Sequence, residues 1–246
     1  MLFRFYAQLN DFLPASRRYR RFRHVLPGPA SVKDAIEALG VPHTEVDVIL
    51  INGTSQDFSH RLRNGDDVSV YPSFRSVDVG PLRRVGEDPP RPLRFALDVH
   101  LRKLASFLRL AGFDAVTLED DADVAVTSVR EGRIVLTRDV GLLKRAVVRN
   151  GYWVRHTNPE LQLAEVVERF DLLNQMEPFA RCLCCNTRLV AVQAAAVAGR
   201  LPPGTRGAFT EYRQCPGCER VYWPGSHYDR LGELLARTRE RAAARG

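Results

Sequence analysis

Four cysteines carry the clearest chemical spacing in this chain. Cys182-Leu-Cys-Cys185 and Cys215-Pro-Gly-Cys218 are two Cys-x-x-Cys pairs separated by 29 residues. Four thiolates at such spacing suit a tetrahedral Zn²⁺ site. A shell filled by thiolates leaves no position for a reactant, so that zinc would fold a small ribbon rather than catalyse. Disulfides are the other use for the same residues, and a reducing compartment argues against them. The fifth cysteine, Cys184, is surplus, either a bystander or a competitor of Cys185 for the metal. His227 lies nearby in sequence, but four sulfurs already complete the shell.

Aspartates offer a second chemistry. Asp98 directly follows the apolar run LRFAL, Asp139 follows IVLT by two residues, and Asp120, Asp121 and Asp123 cluster ahead of a helical stretch. Carboxylates that converge repel one another and raise each other's pKa unless cations are present. Hard oxygen donors suit Mg²⁺ or Mn²⁺, which keep positions open for water and substrate phosphate. Such a site hydrolyses phosphodiesters. The simpler reading, open at this point, is that Asp121 and Asp139 only cap helices.

The elements that must position these groups fall into three parts. In the first, residues 2–8 alternate as a half-buried strand, and 19–25 can pair with it as a hairpin. Ser31-Val-Lys-Asp34 is a capping-box pattern opening a helix that stops at Gly40. Residues 46–51 form an apolar strand ended by the turn Asn52-Gly53, and a last strand runs from Val68 to Tyr71. That order is the β-grasp plan, predicted over 1–80. Residues 81–92, with Pro81, Gly86, Pro89, Pro90 and Pro92, read as a linker.

From 93 to 175 strands and helices alternate. The pattern predicts strands at 93–97, 114–118, 133–136 and 152–155. Helices are predicted at 99–111 and 121–131, from Asp139 to near Gly151, and after Pro159. Repeated βα units imply a parallel sheet whose ligands sit at the carboxyl ends of its strands. Residues 176–235 hold the cysteines, and 236–246 read as a basic tail. The fold class is therefore α/β with α+β: an N-terminal β-grasp domain, a central parallel α/β domain and a four-cysteine zinc ribbon.

Two resemblances sharpen these expectations. "INGTSQDFSHRLRNGDDVSVYP" resembles the ubiquitin-like sulfur-carrier proteins. Those carriers end in an activated Gly-Gly tail, whereas here the last strand runs into Tyr71-Pro72-Ser73-Phe74, so binding a protein partner is the expected role. "RFALDVHLRKLASFLRLAGFDA", "DDADVAVTSVREGRIVLTRDVGLLKRA", "PFARCLCCNTRLV" and "YRQCPGCERVYWPGSHYDRL" together resemble the PIN-like ribonuclease family named after the C-terminal region of the Mut-seven exonucleases. The resemblance covers about 91–235 and implies a metal-dependent RNase. It places Asp98, Asp121 and Asp139 as the clustered carboxylates, and Lys103 as a catalytic lysine facing phosphate or a solvated helix residue. Val140-Gly141 follow Asp139 where many PIN nucleases carry another acidic residue, and Arg102 and Ser106 stand where the family usually shows Gly and Arg. Those departures sustain the alternative of a non-catalytic RNA- or ribosome-binding adaptor.

Charge points the same way. The net charge is +7, and residues 176–246 hold 11 Lys and Arg against 6 Asp and Glu, so the excess is concentrated in the ribbon segment. A basic segment favours a polyanion, since each neutralised phosphate releases counterions. Arg181, Arg188, Arg213, Arg220 and Arg230 alternate with Tyr212, Tyr222, Trp223 and Tyr228, a mixture suited to single-stranded RNA. Arg181, Arg213, Arg220 and Tyr222 are the expected RNA contacts, with Trp223 packing the ribbon. The arginine run at 17, 18, 20, 21 and 23 either grips phosphate or keeps a hairpin edge soluble. No apolar run approaches the roughly 20 residues of a membrane helix. The first residues do not read as a secretion signal, so a cytoplasmic enzyme is expected.

Overall fold

The computed structural model describes residues 1–74, 79–205 and 208–243, without the side chains of 226–228, 230, 231 and 241–243. His227, Tyr228 and Arg230 of the sequence reading lie outside the described side chains. In chain order the first elements are β1 (Leu2–Phe5), β2 (Phe22–Arg23), α1 (Val32–Ala38), β3 (Val48–Ile51), β4 (Thr54–Ser55) and β5 (Asp67–Tyr71). Next come β6 (Arg94–Asp98), α2 (Arg102–Leu110), β7 (Asp114–Leu118), α3 (Asp121–Glu131), β8 (Ile134–Thr137), α4 (Val140–Leu143), β9 (Gly151–Trp153) and α5 (Pro159–Arg169). The last are β10 (Val190–Val192), α6 (Ala194–Val197), β11 (Tyr212–Gln214), β12 (Val221–Tyr222) and α7 (Ser226–Ala243). A four-stranded parallel sheet runs in the order β7-β6-β8-β9. The chain divides into two compact units, Met1–Pro90 with Asp121–Trp153, and Arg91–Asp120 with Val154–Gly246.

In the first unit a five-stranded sheet has the order β2-β1-β5-β3-β4, with β1 parallel to β5 and the other pairs antiparallel. Period-two alternation turns Phe3 and Phe5 of β1 and Val68 and Val70 of β5 inward, onto Val32, Ala35 and Ile36 of α1. The capping box is present in full: Ser31 accepts from the Asp34 amide and Asp34 answers at the Ser31 amide. Asn52 (φ 52°) and Gly53 (φ 83°) make the two-residue turn from β3 to β4. Most of the segment read as a linker is exposed, but it is anchored at two points. Val85 is buried in the β-grasp core, and Arg83 pairs with Asp47 at 2.7 Å and with Asp88. One apolar residue and one arginine suffice to anchor it, which is too little for periodicity to reveal.

The same unit contains α3, β8, α4 and β9, and the β-grasp elements hold β9 and the segment leading into it. A helical turn at 43–45 supplies His43, whose Nδ1 faces Glu37 Oε1 at 2.7 Å and whose Nε2 faces the Val148 carbonyl at 2.9 Å. Lys144 Nζ donates to the Glu37 carbonyl at 2.7 Å. The long third helix expected up to Gly151 is a single turn, α4. The Val148 amide closes a turn on the Arg145 carbonyl at 2.9 Å, which buries the Val148 side chain completely. Tertiary packing overrides helix propensity there.

In the second unit β6 and β7 pair in parallel, Arg94 with Asp114 through Asp98 with Leu118. Phe95 of β6 meets the rings of Phe113 and Phe170 edge-on, at centroid distances of 6.2 and 5.8 Å. α2 packs on β7 and α5. Asn158 caps α5 through the amides of Glu160 and Leu161, with Pro159 at the first helical position. α7 starts well before the expected basic tail and lies on α5, burying Leu234, Leu235 and Thr238, with Arg237 3.6 Å from Glu160. β10, β11 and β12 form a small antiparallel sheet over Val197, Leu201 and Tyr212, with Phe209 and Trp223 packed alongside.

Candidate metal centre and acidic positions

The two Cys-x-x-Cys turns share one backbone design. In the first, the Cys182 amide donates to the Thr187 carbonyl (2.9 Å) and the Asn186 amide to the Cys182 carbonyl (3.0 Å). In the second, the Cys215 amide donates to the Arg220 carbonyl (2.9 Å) and the Glu219 amide to the Cys215 carbonyl (2.8 Å). Asn186 and Glu219, each directly after the second cysteine, adopt left-handed φ values of 70° and 59°. Each turn aims an amide at its first sulfur, Cys185 N at Cys182 Sγ (3.5 Å) and Cys218 N at Cys215 Sγ (3.4 Å).

All four sulfurs lie within 4.8 Å of one another, with Cys182 to Cys218 at 3.5 Å and Cys185 to Cys215 at 3.2 Å. Tetrahedral zinc with Zn–S near 2.3 Å needs sulfurs about 3.8 Å apart, so the cluster has the dimensions to bind zinc. Cys184 is exposed and outside the quartet. The sulfurs do not share one protonation behaviour. The Thr187 hydroxyl, 3.4 Å away, leads the groups that draw Cys185 down to about 6. Cys218 is favoured as a thiolate by the Arg220 amide, yet burial and the three neighbouring sulfurs push it up to about 12. Burial opposes the Cys182 thiolate, yet the Cys185 amide and the Tyr222 hydroxyl bring its pKa down; a divalent cation would offset the repulsion among the sulfurs.

Several expected RNA contacts turn out to have internal work. Arg181 donates to the carbonyls of Gly112 (3.1 Å) and Asn186 (3.0 Å) and stands 3.6 Å from Asp114, bracing the first cysteine turn against the end of α2. Tyr222 is half-buried, with its hydroxyl 3.1 Å from Cys182 Sγ and accepting the Leu183 amide at 3.2 Å. Burial, together with Cys182, raises the Tyr222 pKa. Tyr212 is core, its hydroxyl donating to the Thr205 carbonyl at 3.0 Å. Arg213 and Arg220 are exposed, and Arg213 also donates to the Phe179 carbonyl at 3.1 Å. Arg188 is exposed and paired with Glu177 at 3.1 Å.

Sequence reasoning missed Arg109. It is 7% exposed, and its guanidinium donates to the carbonyls of Ala115 (2.7 Å), Leu183 (3.0 Å) and Cys184 (2.7 Å), fastening α2 and β7 to the first cysteine turn. Burial lowers its pKa, while the neighbouring cysteines and Asp114 pull it back up. The available signal was a charge four residues after Ala105, inside the apolar face of α2.

The expected acidic groups stand at element ends. Asp98 is the last residue of β6, 6% exposed, and its Oδ1 accepts the His100 amide at 2.9 Å. Asp139 is exposed and caps α4, its Oδ1 accepting the Gly141 amide at 2.7 Å while its own amide donates to Thr137 Oγ1 at 2.9 Å. Asp121 is the first residue of α3, and Lys103 holds its ammonium 5.0 Å from the Phe107 ring centroid. Among the described residues, no helix is long and apolar enough to cross a membrane.

Comparison with known proteins agrees with this organisation. The family model described as the Mut7-C RNAse domain matches residues 93–235, and one described as Mut7-C ubiquitin matches residues 1–78. No curated protein and no solved structure matches the chain. The RNAse-domain match, over more than half of the chain, places it in the Mut7-C RNAse domain family, with a Mut7-C ubiquitin domain at its front.

Proposed function

We propose that the chain is a metal-dependent ribonuclease in which Asp98, Asp121 and Asp139 hold Mg²⁺ or Mn²⁺ and the four-cysteine ribbon holds structural Zn²⁺. The observation that carries the reading is the RNAse-domain match over residues 93–235, which spans all three aspartates and all four cysteines. Two of the aspartates follow parallel strands, Asp98 ending β6 and Asp139 two residues beyond β8. Ligands of such sheets bind at those carboxyl ends.

The donor set fits the ion. Aspartate oxygens are hard ligands of the kind that Mg²⁺ and Mn²⁺ take. A divalent ion bound there would supply neutralisation of charge on the scissile phosphate. The side chains of the protein do the rest. Asp98 and Asp139 are pre-oriented by the His100 and Gly141 amides, and Lys103 offers a cation to phosphate. Arg213 and Arg220 hold a single RNA strand on the ribbon, whereas Arg181 and Tyr222 support the cysteine turns. A cytoplasmic setting keeps the thiols reduced for zinc.

Purified protein with Mn²⁺ and a single-stranded RNA oligonucleotide tests the reading. Cleavage that Asp139→Asn abolishes, with melting temperature and zinc content intact, supports it. RNA binding without cleavage in the unmodified protein would replace it with the adaptor reading.

A further inference from the structure

We infer that Glu45 and Trp153 are positioning residues for the Asp139 turn, so that the N-terminal domain is a working part of the hydrolytic site. This deepens the proposed function and rests on its assignment of Asp139. One peptide plane within the first unit links these residues to Asp139. Arg138 C=O and Asp139 N–H belong to the same planar group, and both ends of it are held. Trp153 Nε1 donates to the Arg138 carbonyl at 3.1 Å, and the Asp139 amide donates to Thr137 Oγ1 at 2.9 Å. Thr137 is fully buried, so its hydroxyl is a fixed anchor. With that plane clamped and Oδ1 tied to the Gly141 amide, the carboxylate of Asp139 has little freedom left.

The indole is in turn held by the β-grasp elements. Glu45, 2% exposed, accepts the Trp153 backbone amide through Oε1 at 2.7 Å. Phe12 lies against the Trp153 ring, with centroids 5.0 Å apart at 47°. His43 on the Val148 carbonyl and Lys144 on the Glu37 carbonyl hold the chain leading into β9. The 43–45 turn of the ubiquitin-like domain is therefore occupied in cis, by the segment that ends in Trp153. Remote residues matter to catalysis when they fix a ligand to within fractions of an ångström.

The test uses the full-length chain carrying Trp153→Phe, Glu45→Ala or Glu45→Gln. Phenylalanine keeps a ring on Phe12 but lacks the indole donor, and glutamine keeps an oxygen for the Trp153 amide. Hydrogen exchange of the 138–141 amides is measured without metal, and kcat and KM for RNA cleavage are measured with Mn²⁺. Trp153→Phe and Glu45→Ala are expected to speed exchange there about tenfold and lower kcat about 10- to 100-fold, with KM changed less than about twofold. Glu45→Gln is expected to restore both readouts, which a loss of bulk stability would not explain. Exchange and kcat unchanged in Trp153→Phe and Glu45→Ala would overturn the inference, and if Glu45→Ala fails to fold, Trp153→Phe decides it. Cleavage surviving in Asp139→Asn would instead sink the functional assignment of Asp139, and the metal-free exchange data would then decide alone whether Glu45 and Trp153 hold the turn.

Discussion

Replacing Arg109 by methionine removes three hydrogen bonds made by a guanidinium that is itself 7% exposed. The carbonyls of Ala115, Leu183 and Cys184 all lose their partner, the Ala115 one in a buried bond. Hydrogen bonds from a charged donor contribute about 1.5–3 kcal/mol each and do not add fully, and removing one partner of a buried charged network costs about 3–5 kcal/mol. We expect a loss of about 3–5 kcal/mol for Arg109→Met, and about half of that for Arg109→Lys, which keeps the charge but not the fork. Two of the three carbonyls lie inside the first cysteine turn, so the loss also falls on metal binding. At 1.4 kcal/mol per tenfold, 3 kcal/mol corresponds to about a 100-fold weaker hold on zinc. Urea unfolding of the zinc-loaded protein gives the first quantity and competition with a chromogenic chelator the second. Arg109→Met with stability within about 1 kcal/mol of the parent and unchanged zinc affinity would refute the bracing role.

Three further outcomes follow from single residues. Gly112, at φ 99°, would place a Cβ 2.4 Å from the Glu177 carbonyl oxygen, so Gly112→Ala should lose about 3 kcal/mol in denaturant unfolding; a loss below about 1 kcal/mol would contradict the packing. Ser31→Ala should cost about 1 kcal/mol by removing the α1 cap. The Ser31 hydroxyl is the main cause holding Asp34 below the usual carboxylate range. A depressed folded pKa adds stability above the unfolded value, so the gap between parent and Ser31→Ala should narrow as pH falls below about 4; a gap constant with pH would contradict it. Stripping zinc with a chelator should raise hydrogen exchange across 182–222 far more than in β6 or β7, because Val197, Leu201 and Tyr212 make too small a core to hold the ribbon alone. Equal protection with and without metal would contradict that.

Local signals carried most of the legible structure. The Ser31-to-Asp34 box, the Asn52-Gly53 turn, Pro159 after a capping Asn158 and the two Cys-x-x-Cys turns act through neighbours in sequence, and each stands where the spacing placed it. What the sequence hid depends on long-range partners. The turn after α4 forms because Val148 is buried and its carbonyl meets His43, 105 residues away. Val85 anchors the Pro-rich stretch through a core whose other members lie far upstream. Arg181 and Tyr222 look like nucleic-acid contacts in composition, and only the three-dimensional structure shows their bonds to the cysteine turn. Arg109 shows the converse, a cation whose place on the apolar face of α2 was legible but whose carbonyl partners were not.

The most direct test of the central claim is a crystal of the full-length protein grown with Mn²⁺ and measured at the manganese absorption edge. The expected result is an anomalous peak within about 2.0–2.3 Å of carboxylate oxygens from both Asp98 and Asp139, lost in Asp139→Asn. Well-ordered aspartates with no shared peak at millimolar Mn²⁺ would contradict it.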